Sequence, residues 1–118
     1  MPTRMPHVTI SPRGTSIAKL DRYTGTDTSY KTVVSWTVST GKLGELKEVS
    51  MLSDTYAKTQ FKLTIAGVEQ FKDKVIQASL TLPFAENKLS AGDIVLLEAQ
   101  STDGTSITVD GSISGREY

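Results

Sequence analysis

From Tyr30 onward the sequence alternates. Thr32, Val34, Trp36 and Val38 fall on one side of an extended segment, and Lys31, Val33, Ser35 and Thr37 on the other. That two-residue period belongs to a half-buried β-strand. It returns along the chain. Thr59–Ile65 turns Phe61, Leu63 and Ile65 one way and Lys62 and Thr64 the other. Val75–Leu82 separates Ile76, Ala78, Leu80 and Leu82 from Gln77, Ser79 and Thr81. Asp93–Gln100 is the most apolar segment, with Val95, Leu97 and Ala99 opposite Ile94 and Leu96. Ser106–Ile113 aligns Ile107, Val109 and Ile113. Glu45–Leu52 and a short piece at Gln70–Lys72 read as strands with weaker patterns.

Between these segments stand turn residues. Gly41 and Gly44 interrupt the chain after the first strand, Ser53-Asp54 after the second, and Ala66-Gly67 after the third. Ser101-Thr102-Asp103-Gly104 is a hairpin signal. Pro83 to Gly92 reads as the longest connection. The 118 residues hold 16 Thr and 13 Ser, a bias toward pleated surfaces and turns over helices. A helix competes only over Leu43–Leu52, where Gly44 and Val49 weaken it. Seven or eight short strands with turn signals every 8–12 residues predict an all-β fold. The expected form is an antiparallel β-sandwich. Its core would collect Val34, Trp36, Phe61, Leu63, Ile65, Leu80, Leu82, Val95, Leu97, Ile107 and Val109.

Residues 1–29 read differently. Pro2, Pro6, Pro12, Gly14 and Gly25 break them, and apolar residues come only as short pairs. The expected organisation is an extended N-terminal arm over residues 1–29 and a sandwich over 30–118. Through Lys31 the arm carries five basic residues against Asp21 and Asp27, and the rest carries eight basic against eleven acidic. The arm is too poor in apolar residues to fold on itself. Val8, Ile10, Ile17, Leu20 and Tyr23 would gain from burial against a neighbouring chain. Arg4, Arg13, Lys19 and Arg22 would favour an acidic partner surface.

Other chemistry is sparse. Thirteen Lys+Arg against thirteen Asp+Glu leave no net charge, against nucleic acid and polybasic membrane binding. No cysteine is present, so thiol catalysis, disulfides and thiolate metal sites are excluded. No apolar run approaches the roughly 20 residues of a transmembrane helix, and no signal-peptide h-region is expected. The one histidine, His7, lies in the proline-broken arm, where it cannot be held beside a nucleophile. No glycine-rich phosphate loop occurs. Asp103 and Asp110 flank the last hairpin without calcium-loop spacing. Trp36, flanked by Val34 and Val38 on its own face, is expected in the core. No enzyme activity, cofactor or metal is expected.

The stretch from Phe61 to Glu117 has a particular order. A strand ends in Ile-x-Gly (Ile65, Gly67), a hairpin follows, then Leu82-Pro83 and Leu-x-x-Gly-Asp (Leu89, Gly92, Asp93). The Ser-Thr-Asp-Gly hairpin and Gly111-x-Ile113-x-Gly115-x-Glu117 close it. This order resembles the small jelly-roll or related sandwich proteins that decorate the capsids of tailed phages. In them Leu-x-x-Gly-Asp leads into a central strand. The resemblance implies a non-enzymatic virion structural protein on the outer capsid surface, bound to the major capsid protein, often as a trimer. A carbohydrate-binding or adhesion module is the alternative, to be told apart by exposed aromatic stripes on one sheet.

Overall fold

A computed structural model describes residues 14–118, the side chain of Glu86 excepted. Among these residues the strands are β1 (Thr15–Gly25), β2 (Lys31–Thr37), β3 (Gly44–Ser53), β4 (Thr59–Ile65), β5 (Val68–Lys74), β6 (Leu80–Leu89), β7 (Ile94–Ser101) and β8 (Ile107–Glu117). One turn of 3-10 helix, Tyr56–Lys58, precedes β4. Two four-stranded sheets form, in the orders β1-β8-β3-β6 and β2-β7-β4-β5. The pairings nest: β1 with β8, β2 with β7, β3 with β6, β4 with β5, all antiparallel. Such a folded-over ladder is the jelly-roll form of a β-sandwich.

The alternation read from the sequence decides which residues meet between the sheets. Val34, Trp36, Phe61, Leu63, Ile65, Val95, Leu97, Ile107 and Val109 are all buried, as expected. Leu80 and Leu82 are partly buried against this core. Val33 is buried beside Val34 because β2 carries a bulge between Thr32 and Val34. An extra residue in the ladder lets two neighbours face inward.

The inward face of β8 explains the glycine pattern near its end. Gly111, Ile113, Gly115 and Glu117 follow one another at the two-residue period on that face. A Cβ on Gly111 would lie 2.7 Å from Leu97 Cδ2 and 2.9 Å from Val34 Cγ1. On Gly115 it would strike the Glu45 carbonyl and sit 3.0 Å from the Trp36 ring. The two glycines leave room for the indole and for Leu97. Glu117 ends the row by accepting a hydrogen bond from Trp36 Nε1 at 2.8 Å.

Three sequence expectations are corrected. The boundary at residue 30 fails, because Thr15–Gly25 pairs with β8 along its whole length, from Thr15 opposite Glu117 to Gly25 opposite Ile107. The segment is extended, as expected, but it is a strand of the sandwich. Backbone hydrogen bonds hold an edge strand that shows little apolar alternation of its own. Residues 1–13 of the expected arm lie outside the described residues. Secondly, the strand expected at Val75–Leu82 begins at Leu80 and runs on to Leu89, through the segment read as a long connection. Pro83 misleads there, yet proline is accepted in an edge strand, which has one unpaired side. Thirdly, the short piece at Gln70–Lys72 is a full seven-residue strand, Val68–Lys74. A turn through Ala66 (φ 51°) and Gly67 (φ 80°) joins it to β4.

Candidate functional site

The residues singled out as partner-binding divide into three groups. Arg4, Val8, Ile10 and Arg13, with His7, fall outside the described residues. Ile17 and Tyr23 point toward the sandwich and pack half-buried against its core. Their apolar surface is used within the chain. Lys19, Leu20 and Arg22 are exposed. Arg22 grips Asp110 on the neighbouring strand through Nε to Oδ1 at 2.7 Å and Nη2 to Oδ2 at 3.0 Å. This forked pair holds the Asp110 carboxyl below the usual carboxylate range. Leu20 is 79% exposed in the middle of a strand.

Leu20 belongs to an ordered surface. On the outer face of the β1-β8-β3-β6 sheet the side chains lie in rows across the strands. One row is Ser16, Arg116, Glu45, Lys88, and the next is Ala18, Ser114, Glu48, Pro83. Then come Leu20, Ser112, Ser50, Thr81, and below them Arg22, Asp110, Leu52. A groove of about 240 Å³ opens between Leu20, Leu52 and the hydroxyls of Ser50, Thr81 and Ser112. Leu52 is itself 44% exposed. Sequence reading singled out Leu20 but missed Leu52 and the hydroxyl row. The available signal was Leu52, which follows the inward Met51 and so must face outward.

The two ends of this face are polar. At one end Glu45 is only 6% exposed although its strand position faces out. It is enclosed by Lys47 Nζ at 3.3 Å, Arg116 Nε at 3.2 Å and Lys88 Nζ at 3.6 Å. Burial pushes its carboxyl up, but Lys47 and Arg116 outweigh that and hold it below the ordinary value. At the other end stands the Arg22–Asp110 pair.

On the outer face of the other sheet, polar pairs share the surface with the exposed Ile94. Lys62 and Glu98 stand opposite each other in register, and Gln100 Nε2 donates to Gln60 Oε1 at 2.7 Å. The Tyr30 hydroxyl donates to Asp73 Oδ1 at 2.6 Å, and Lys62 Nζ lies 5.7 Å from the Tyr30 ring centre.

Carboxylates elsewhere serve the fold. Asp103 accepts from Lys58 Nζ at 2.7 Å and from the Thr105 amide at 3.0 Å. It closes the last hairpin, and Lys58 holds its carboxyl far below the usual range. Asp110 is engaged by Arg22. Among the described residues no group of three or more His, Cys, Asp or Glu is placed to hold a metal ion.

No family model matches the chain, and no curated protein matches it. Among solved structures a chain of the cyanophage Pam1 capsid asymmetric unit is similar. It is 12% identical with a TM-score of 0.57, over 97% of this chain and 93% of that chain. At this identity the likeness is one of fold, and it spans both sheets.

Proposed function

We propose that this chain is a non-enzymatic structural protein of a virion, and more narrowly a decoration protein. In that role it binds the outer surface of the capsid through the major capsid protein and stabilises the shell. The observation that carries the reading is the end-to-end fold likeness to a chain of a phage capsid asymmetric unit. The Phe61–Glu117 pattern supports it separately. Jelly rolls host many functions, so the fold contributes by analogy.

The carbohydrate-binding alternative has less to stand on. Trp36 is 1% exposed, so the largest aromatic ring is withdrawn from the surface. The test is co-sedimentation of purified protein with heads that lack it. Saturable binding and heads that survive higher temperature are expected. Heads left unbound at saturating protein would overturn the proposal.

A further inference from the structure

Each sheet ends in two edge strands, and the four edges differ. β5 loses register against β4 and carries Asp73 at φ 55°. β6 loses register against β3 and holds Pro83. β2 has its bulge between Thr32 and Val34. Bulges and proline discourage strand addition at an edge. β1 has neither. It runs 11 residues in unbroken register with β8, and among the described residues no strand pairs with its other side.

The hydrogen-bond phase leaves that side open. On β8, Tyr118 bonds through its backbone to Leu43, and the Thr108 carbonyl accepts the Asp54 amide. The even residues of β8 therefore face β3, and the odd ones face β1. The register sets odd residues of β1 opposite odd residues of β8. The N–H and C=O groups of Ser16, Ala18, Leu20, Arg22 and Thr24 thus point away from the sheet. The Arg22 amide agrees: it donates to the neighbouring Asp21 Oδ1 at 2.8 Å.

We infer that β1 pairs antiparallel with β1 of a second copy, about a two-fold axis normal to the sheet at Leu20, so that two four-stranded sheets become one. The residue order selects both partner and register. Matching the faces of the paired strands requires the axis to pass through a residue. With the axis at Leu20, Lys19 faces Asp21 of the second copy and Ile17 faces its Tyr23. Each contact is made twice, as an isologous pair requires. The two Leu20 side chains face each other and cover surface that is 79% exposed in one copy. An axis at Lys19, Asp21 or Arg22 would set a charge against its own copy. An axis at Ala18 would set Lys19 against Ile17 and Asp21 against Thr15.

The same charges exclude other strands. Lys19 and Asp21 stand on the side of β1 that carries Ile17 and Tyr23, and inward-pointing charges are a barrier to strand addition. Their palindromic order removes the barrier for a second copy and keeps it for strands of another sequence. Pairing passes the Arg22 amide to the Ala18 carbonyl of the second copy, which releases Asp21 for Lys19. The Arg22 side chain stays on Asp110.

Sedimentation equilibrium on the purified chain tests this without any capsid. The wild type should be dimeric at roughly 100 μM and dissociate on dilution to about 1 μM. Lys19→Asp and Asp21→Lys should each be monomeric at the higher concentration while melting cooperatively. The double variant restores opposite charges across the axis and should dimerise again. The chain has no cysteine, so single cysteines report the register. Leu20→Cys should oxidise to a covalent dimer, because Cα atoms in a hydrogen-bonded pair lie about 5.5 Å apart, within disulfide reach. Ser16→Cys should not, because its two copies would lie roughly 26 Å apart. A wild type that is trimeric, or monomeric at roughly 100 μM, would overturn the inference. So would a double variant that stays monomeric, or equal cross-linking of the two cysteine variants. Head binding is scored in a separate assay, so this inference and the capsid reading can fail independently.

Discussion

Trp36 on β2 and Glu117 at the end of β8 meet across the sandwich, indole N–H to carboxylate at 2.8 Å. The same Glu117 oxygen accepts the Ser39 amide at 3.2 Å. One carboxylate therefore joins the end of one sheet to the first strand of the other, and it is 8% exposed. Hydrogen bonds from Trp36 and Ser39 to the ionised form outweigh its burial and hold its pKa below the ordinary glutamate value. A depressed native pKa means that the stability Glu117 contributes is present above its unfolded value of about 4.3. It is lost as pH falls through the lower native value. Urea unfolding measured at stepped pH should show wild-type stability falling below about pH 4. Glu117→Gln should be less stable at neutral pH and flatter in the acid range. An identical acid slope in both proteins would refute the assignment.

Leu97 lies at the centre of β7 and is fully buried. Leu97→Ala should cost about 2–5 kcal/mol in denaturant unfolding, through lost transfer energy and the cavity left behind. That is a large share of the roughly 5–15 kcal/mol typical of a domain. A loss below about 1 kcal/mol would mean that the site collapses freely.

Gly115→Ala tests the room left for Trp36. The added methyl would meet the Glu45 carbonyl and the indole ring, neither of which can move without shifting a strand. A loss of roughly 1–3 kcal/mol is expected from overpacking. A blue-shifted or quenched emission of the single tryptophan should accompany it. Unchanged stability with unchanged emission would contradict the packing argument.

Two truncations separate strand from arm. Removing residues 2–13 keeps all of β1 and should leave the melting temperature near that of the full chain. Removing residues 2–20 takes away half of β1 and bares the β8 edge, inviting aggregation. A lower melting temperature and concentration-dependent light scattering are expected for the longer deletion only. Equal behaviour of the two proteins would show that β1 adds nothing to the sandwich.

What could be read from the sequence followed from side-chain alternation. Strands β2, β4, β7 and β8 bury the residues their pattern assigns to the core, and Trp36 is an interior anchor as its valine neighbours require. What was missed lies where backbone, not side chains, carries the specification. Strand β1 shows Ile17 and Tyr23 inward but sets Leu20 outward, so its period is hidden. Its partner is β8, known only once the strand order is known. Pro83 reads as a break, although an edge position removes its cost. At the candidate site, Leu20 was legible as an apolar residue needing cover. The groove it forms with Leu52 was not, because its members come from β1, β3, β6 and β8 and meet only through register.

The nested pairing of β1 with β8 also governs when the molecule can form. Thr15 is bonded opposite Glu117, so the first described strand waits for the last to be synthesised. β4 and β5 can close as a local hairpin early, whereas the outer pair must bridge almost the whole chain. Such distant contacts slow the search for the native state. Until β8 emerges from the ribosome, β1 stays without its partner strand.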